Sequence, residues 1–262
     1  MTKKRFFLGM LFSAILLLTA CGGKEANNAN GAQGADGANA NGTLKIAIEG
    51  AYPPYNYMNK DNQLEGFDVD ISNELAKRLG VKPELIAIPW DSMIPGLLAK
   101  KYDIIVSDMA ITEERKKKVD FSDPYFHTGQ MLFVPANSTI KDPSEIKGKK
   151  IGVTISTTAA EIATQLGADV VLFKSDFLAF SDMANGRLEG FITDQGVGAR
   201  IMMDNKYDGK SVGNLLNTEA AGITIRKEDT ALKEKINKAL ADMKNDGTFE
   251  AISKKWFGRD IR

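Results

Sequence analysis

The sequence predicts an α/β protein of two lobes, because strand-like and helix-like stretches alternate along the chain and this alternation occurs twice. The first series begins with the alternating apolar run TLKIAIEG at Thr43, and the second begins with IGVTI after Lys150. Strands and helices that alternate at this spacing are typical of sheets with parallel neighbours, flanked by helices. The stretch 43–262 is long enough for two lobes of ordinary size.

In the first series, the strand at Thr43 is followed by a helix in the stretch GFDVDISNELAKRLG. Its apolar residues recur at helical spacing, Asp68 and Asp70 lie in the first turn, where the helix dipole favours acids, and Gly80 ends it. The next predicted elements are a strand over 84–88, a helix over 92–101 and a strand over 103–106.

The second series repeats the pattern of the first. Its predicted elements are strands over 151–155, 169–173 and 189–194, with helices over 158–166 and 176–184 between them. After a polar stretch, a strand over 222–226 and helices over 230–244 and 249–256 complete the chain.

The first 20 residues are typical of a secretory signal, with three basic residues before an apolar run too short for a permanent membrane helix. Cys21, the only cysteine, directly follows Leu18-Thr19-Ala20, which resembles the lipobox of bacterial lipoproteins. The resemblance implies that Cys21 becomes the lipidated first residue. The alternative is a secreted protein with a free thiol, which would be a liability outside the cell.

The stretch 21–42 after the signal is predicted to be a flexible tether. Beyond Cys21 it contains little besides Gly, Ala and Asn and cannot bury enough apolar surface to order itself. A coil of about twenty residues spans roughly 25 Å. We therefore expect the folded part to lie close to a membrane.

The charge balance gives no indication of a nucleic-acid partner. The chain has 34 basic and 34 acidic residues. Removal of Lys3, Lys4 and Arg5 with the signal leaves 34 − 3 = 31 basic residues against 34 acidic ones, a net charge near −3.

Six stretches in register resemble the extracellular solute-binding proteins of polar amino-acid ABC transporters, family 3. They are EGAYPPYNY, LEGFDVDISNELAKRLG, IPWDSMIPGLLAKKYDIIVSDMAITEERKKKVDFSDPYF, IKGKKIGVTISTTAAE, ANGRLEGFITDQ and NDGTFEAISKKWFG. The resemblance implies a two-lobed type II periplasmic-binding-protein fold, each lobe a mostly parallel sheet flanked by helices. By analogy, lobe 1 is 43–124 plus 222–262, lobe 2 is 129–216, and the hinge strands lie at 125–128 and 217–221.

The resemblance also implies a site for a free amino acid. Arg115, three residues after the Ile-Thr of IVSDMAITEER, matches the arginine that binds the ligand carboxylate, a role that suits a planar guanidinium. Asp194, at the end of a strand, matches the aspartate that takes the ligand ammonium. The alternatives are a solvated arginine at a helix start and an aspartate that caps a helix ahead of Val197.

Aromatic and hydroxyl residues complete the site that the resemblance implies. Tyr52 and Trp90 match rings that sandwich the ligand side chain, although both could belong to the core. Thr157 and Thr158 should offer hydroxyls and backbone amides at a helix start, where a carboxylate is favoured. Ser156 stands where relatives have glycine, which puts the conformation of this loop in doubt.

Three residues bear on which amino acid is bound. Asp108 and Ala110 stand where many relatives have glycine and a hydroxyl residue. Glu49 occupies a position where an acid reaches the ligand side chain in relatives that bind cations. Glu49 and Asp108 together favour a basic or strongly polar amino acid. The alternative is that Glu49 and Asp108 only cap loops.

The resemblance implies a membrane-anchored receptor on the extracytoplasmic face, which binds one amino acid per monomer and delivers it to an ABC transporter permease. No metal, cofactor or nucleic acid is expected. An enzyme of the same fold, such as a dehydratase, is the first alternative, but the single histidine, His127, lies in a predicted hinge and no catalytic triad spacing occurs. Glu49, Asp108 and Glu161 remain possible acid or base groups for such an enzyme. A sensor or adhesin without transport is the second alternative.

Overall fold

The computed structural model describes residues 42–262 of the chain. The predicted signal, the lipidation site Cys21 and the tether as far as residue 41 lie outside the described residues. Within 42–262, no helix has both the length and the apolar character that a bilayer crossing requires.

Fifteen strands and eight α-helices make up the described part of the chain. The strands are β1 (Thr43–Ile48), β2 (Ala51–Tyr52), β3 (Asn56–Met58), β4 (Leu64–Glu65), β5 (Lys82–Ala87), β6 (Ile104–Ile105), β7 (Asp120–Phe121), β8 (Phe126–Thr128), β9 (Gln130–Pro135), β10 (Lys150–Thr154), β11 (Asp169–Phe173), β12 (Gly190–Asp194), β13 (Gly209–Val212), β14 (Glu219–Ala221) and β15 (Thr224–Ile225). The helices are α1 (Phe67–Leu79), α2 (Met93–Leu98), α3 (Glu113–Lys116), α4 (Thr158–Gln165), α5 (Asp176–Ala184), α6 (Gln195–Asp204), α7 (Thr230–Asn245) and α8 (Thr248–Phe257).

Two five-stranded sheets define two lobes. The first lobe is built on the order β5-β1-β6-β15-β7 and the second on β11-β10-β12-β9-β13. In each sheet the first three strands are parallel, whereas the last two pairings are antiparallel. The antiparallel pairings involve β9 and β15. β9 is the first sheet strand after the chain crosses into the second lobe, and β15 is the first after the chain returns to the first lobe. This arrangement confirms the predicted α/β class with two sheet-containing lobes.

Helices cover both faces of the first sheet. Leu44 and Ile46 of β1 pack in one buried cluster with Leu75 of α1. Ala47, which points to the opposite face, packs in another cluster with Leu97 of α2. The C-terminal helices α7 and α8 pack against α1, so the end of the chain belongs to the first lobe.

Two short strands lie where the chain passes between the sheets. β8 and β14 pair in antiparallel register, with His127 opposite Ala220. They overlap the predicted hinges at 125–128 and 217–221. The boundaries of the lobes and the role of these strands as hinges stay predictions.

Helix α6 and strands β9 and β13 were not predicted from the sequence. The stretch after β12 has two glycines, which lower helix propensity. However, Asp194 accepts hydrogen bonds from the backbone N–H groups of Gly196 (2.7 Å) and Val197 (3.2 Å), and Ile201 is buried beneath the helix. A capped N-terminus and one buried face therefore outweigh the local propensity.

Candidate functional site

A cavity lies between the lobes, at the ends of β1, β6, β10 and β12. The predicted site residues that line it are Glu49, Tyr52, Trp90, Asp108, Ala110, Arg115, Thr157 and Thr158. Residues that line it without having been predicted are Gln130, Thr154, Ala159, Asp176, Thr193 and Glu219. The structure thus brings together all the predicted ligand-binding residues except Asp194.

Arg115 is held by neutral groups and not by acids. The hydroxyl of Thr112 caps the short helix α3 by accepting the backbone N–H of Arg115 (3.2 Å). The guanidinium donates from Nη1 to the Ala110 carbonyl (2.8 Å) and from Nη2 to the Ser156 carbonyl (3.3 Å). Burial lowers the pKa of Arg115, but a guanidinium remains a cation in proteins. Arg115 forms no ion pair with any described residue, so its charge remains available to a carboxylate in the cavity.

Trp90 and Tyr52 form the aromatic part of the wall. The ring centroid of Trp90 lies 5.2 Å from the guanidinium carbon of Arg115, and its indole N–H donates to the Ser156 carbonyl (3.2 Å). Tyr52 stacks on Tyr55 with centroids 5.8 Å apart. Both rings are partly buried and pack against core clusters, so they line the cavity and contribute to the core at once.

The loop that carries Asp108 is held in an uncommon conformation by a buried network. Asp108 has φ 43°, in the left-handed region that glycine favours and that costs energy for other residues. Its N–H donates to the hydroxyl of Tyr125 (3.2 Å), and that hydroxyl donates to Asp68 (2.8 Å). Asn56 donates to the other carboxylate oxygen of Asp68 (2.8 Å). Desolvation raises the pKa of Asp108 well above its usual range, and its carboxylate accepts no hydrogen bond that would cap a loop within 42–262.

Glu49 and Asp176 bring one further acid from each lobe to the cavity wall. Glu49 directly follows β1, and its N–H donates to Ser107 (3.2 Å). Asp176 is the first residue of α5, and its Oδ1 accepts from the hydroxyl of Thr154 (3.0 Å). Burial, with a smaller effect of the nearby Asp176 charge, raises the pKa of Glu49 to about 8, and burial raises that of Asp176 to about 6.

Glu219 and Gln130 are functional candidates that the sequence analysis missed. Glu219 lies on the crossing strand β14 and accepts hydrogen bonds from Gln130 (3.1 Å) and Asn217 (2.7 Å). Both line the cavity and are nearly buried. A signal for both was present in the sequence, because each is a polar side chain within a short and otherwise apolar strand segment. Polar side chains are buried in such segments only when they have hydrogen-bond partners.

Asp194 is fully buried and does not line the cavity. Its Oδ1 caps α6, and its Oδ2 accepts from the hydroxyl of Thr128. Burial raises its pKa to about 6. The structure therefore shows the helix-capping arrangement that was the alternative for this residue. A role for Asp194 toward a ligand ammonium stays a prediction.

The start of α4 supplies the second lobe's polar groups. Thr157 caps this helix by accepting the N–H of Ala160 (3.3 Å) and donates to the Thr154 carbonyl (2.6 Å). Ser156 has φ 62°, a left-handed conformation that glycine adopts more readily than serine. This backbone turn directs the Ser156 carbonyl toward Trp90 and Arg115 of the first lobe.

Acidic side chains outnumber basic ones on the cavity wall. Glu49, Asp108, Asp176 and Glu219 line it, and Arg115 is the one basic side chain among the described residues there. No three His, Cys, Asp or Glu side chains within 42–262 are arranged to hold a metal ion. The arrangement is suited to an organic ligand that carries one carboxylate and more than one positive charge.

The space next to the acids is small, and a larger cavity adjoins it. The inner cavity has a volume of about 30 Å³, room for one or two water molecules. A larger cavity of about 610 Å³ adjoins it and shares Trp90, Arg115 and Thr158. A ligand that reaches the four acids must therefore enter while the lobes are further apart.

The chain matches the bacterial extracellular solute-binding proteins, family 3, over residues 44–259. It belongs to this family. The L-cystine-binding protein TcyJ of Escherichia coli (strain K12) is 37% identical over 225 residues, which are 84% of each chain. An ancestral arginine-binding protein solved with bound arginine is 41% identical with a TM-score of 0.79, covering 83% of this chain and 99% of that one.

A third similar protein bears on the enzyme alternative. The ancestral amino acid-binding protein AncCDT-1, a precursor of cyclohexadienyl dehydratase, is 37% identical with a TM-score of 0.78, covering 82% of this chain and 96% of its own. All three relatives are named as binding proteins and not as enzymes. The likeness in structure confirms the periplasmic-binding-protein fold, and the family is extracellular by its description.

Proposed function

We propose that this protein is a lipid-anchored receptor on the outer face of the cell membrane, which binds a free amino acid with a polar or cationic side chain between its lobes. The observation that supports this most strongly is the interlobe cavity, where Arg115 stands without an acidic partner among four carboxylates. It functions in binding and does not transform its ligand.

The charged ends of the amino acid would be held by separate groups. The guanidinium of Arg115 pairs with the ligand carboxylate, assisted by the hydroxyls and amides of Thr157 and Thr158. Asp108 and Glu219 are the acids whose charges act on Arg115 within the cavity, so they are placed to face the ammonium beside that carboxylate. Each ligand end thus meets a group of opposite charge.

Binding would close the two lobes. Arg115 and Asp108 belong to the first lobe, whereas Thr157 and Thr158 begin a helix of the second. A ligand held by both stabilises the closed arrangement over the open one by the difference in its contacts. The closed form is the state that an ABC transporter permease would recognise, with lipid on Cys21 and the tether keeping the receptor within reach of that permease.

A thermal-shift screen tests this proposal. The ligands are the twenty amino acids, cystine, ornithine and small polyamines, because a ligand that binds only the native state raises its melting temperature. We expect a shift of several degrees with at least one amino acid, and mass spectrometry should recover that ligand unchanged. No shift with any amino acid would contradict the assignment, and a new product would favour the enzyme alternative.

A further inference from the structure

Glu49 and Asp176 approach the cavity from opposite lobes. Glu49 follows the interior strand β1 of the first sheet, and Asp176 begins α5 of the second lobe. α5 lies against β2, so the two lobes are in contact beside these residues. Both acids line the same inner cavity.

Neither acid has a cationic partner within the described part of the chain. Asp176 is 4% exposed and accepts a hydrogen bond from the neutral hydroxyl of Thr154. The carboxylate of Glu49 makes no hydrogen bond or ion pair within 42–262. Two carboxylates that line one small cavity repel each other when both are ionised, and a cation between them would remove that repulsion.

Arg115 is held elsewhere on the cavity wall. Its guanidinium donates to the carbonyls of Ala110 and Ser156, and it forms no ion pair with Glu49 or Asp176 within the described residues. Glu49 and Asp176 therefore line the cavity as two acids without a paired cation. The charge of Asp176 contributes to the raised pKa of Glu49, in accord with their place in the same cavity.

We propose that Asp176 is a specificity-determining residue, which binds the cationic end of the ligand side chain together with Glu49. This inference rests on the proposed function and specifies its ligand class: an α-amino acid with an ammonium or guanidinium side chain, such as lysine, ornithine or arginine. One carboxylate comes from each lobe, so the side-chain cation also links the lobes. A ligand with a neutral side chain lacks this link and leaves two acids buried without a partner.

Asp176 also has a structural role from which this function must be separated. It is the first residue of α5, where an acid interacts favourably with the helix dipole, and it anchors Thr154. Loss of a structural contact would weaken all ligands equally. Loss of a cation contact would weaken only ligands that carry the cation.

Calorimetric titration of the full chain with L-arginine and L-citrulline makes this separation, because citrulline has the same shape without the side-chain charge. L-lysine and L-norleucine form a second comparison, in which the side chain loses its ammonium group and is one heavy atom shorter. For the unaltered protein we expect the cationic ligand of each pair to bind at least about 30-fold more tightly. Asp176→Asn should weaken L-arginine about 10-fold or more and L-citrulline less than about threefold, and Glu49→Gln should behave alike.

Asp182→Asn is the matched control, since Asp182 lies on the same helix and pairs with Arg187 away from the cavity. It should leave both affinities unchanged. An equal loss for both ligands in Asp176→Asn would overturn the inference, as would unchanged arginine affinity. If Asp176→Asn does not fold, the affinities of the unaltered protein for the two ligands of each pair provide the test. Citrulline binding equal to or tighter than arginine binding would overturn the inference but not the proposed function as an amino-acid receptor. Binding of no amino acid at all would overturn both.

Discussion

The guanidinium of Arg115 is fixed in place by two carbonyl oxygens and an indole ring, while its charge stays free of acids. This suits a group that must be held in position and must not be neutralised by the protein. The sequence motif identified Arg115, but the supporting contacts come from Ala110, five residues earlier, and Ser156, in the other lobe. Those contacts depend on the folded arrangement.

Replacing Arg115 by lysine should separate its geometry from its charge. Lysine keeps a cation but cannot make the two-point contact with a carboxylate, so we expect affinity for the amino acid to fall by about 10- to 100-fold. Calorimetry measures this, and the melting temperature without ligand should change little. Arg187→Lys, at an exposed arginine that pairs with Asp182 away from the cavity, is the control and should bind as the unaltered protein does. Unchanged affinity in Arg115→Lys would rule out the carboxylate contact.

Glu49 should make ligand binding depend on pH. With its pKa raised to about 8 by burial and by Asp176, Glu49 is mostly protonated at pH 7 in the free protein. A ligand cation favours the ionised form and lowers that pKa, so binding should release protons, and affinity should rise as pH increases from about 6 to 8. Titrations in buffers of different ionisation enthalpy measure the release. Glu49→Gln should reduce it, whereas proton uptake on binding would contradict the prediction.

Local sequence predicted some of these residues and not others for a physical reason. Arg115 and Trp90 lie in long motifs whose order along the chain is distinctive. Asp176 and Glu219 are single acids at the start of a helix and on a three-residue strand, and such positions are usually solvated. Asp194 was predicted to face the ligand, but an acid after a strand can equally cap the next helix. The local sequence is the same in both cases and cannot distinguish them.

Helix α6 shows how tertiary packing can favour a glycine inside a helix. Gly198 faces the ring of Phe133 on β9 so closely that an added Cβ would lie 2.2 Å from a ring atom. The glycine thus permits close contact between helix and sheet, at a cost of roughly 0.5–1 kcal/mol in helix propensity. Because the contact residue is distant in sequence, the local sequence alone does not show why a glycine is favourable here.

Gly198→Ala should therefore destabilise the second lobe although alanine is the better helix former. We expect overpacking against Phe133 to cost about 1–3 kcal/mol of unfolding free energy, measured by urea titration. Ala199→Gly, at the exposed neighbouring position, is the control and should cost about 1 kcal/mol from propensity alone. A more stable Gly198→Ala variant would contradict the packing described for α6.

The elements that were predicted well are those whose ends are determined locally. α1 ends at Gly80, which has φ 69° and donates its N–H back to the helix, as the sequence indicated. α5 has the predicted bounds of Asp176–Ala184. By contrast, β6 has only two residues where four were expected, because its pairing with β1 is limited to Ile46 and Ala47.

At the scale of the whole molecule, side chains at the rim of the cleft link the lobes. Trp90 and Arg115 both donate to the Ser156 carbonyl, and Lys174 forms an ion pair with Asp91. Lys174 is on the second lobe and largely exposed, so this ion pair is screened by solvent. These links hold the two lobes together in the arrangement that, under the proposed function, a ligand would also stabilise.

Lys174→Met should shift the free protein slightly toward open forms. The expected results are a larger radius of gyration by small-angle X-ray scattering without ligand and an affinity lowered by about two- to threefold at most. With saturating ligand, the scattering should match that of the unaltered protein. Lys141→Met, an exposed lysine of the same lobe without an ion pair within 42–262, is the control. Identical scattering of both variants without ligand would show that the Lys174–Asp91 pair does not contribute to closure.

The central claim is that an amino acid is bound between the two sheets with its carboxylate on Arg115. A crystal structure of the protein with the amino acid that raises its melting temperature most would test this directly. We expect the ligand in the inner cavity, its carboxylate within hydrogen-bond distance of the Arg115 guanidinium, and its ammonium facing the acids. A ligand bound outside the interlobe cavity, or one whose carboxylate does not contact Arg115, would contradict the claim.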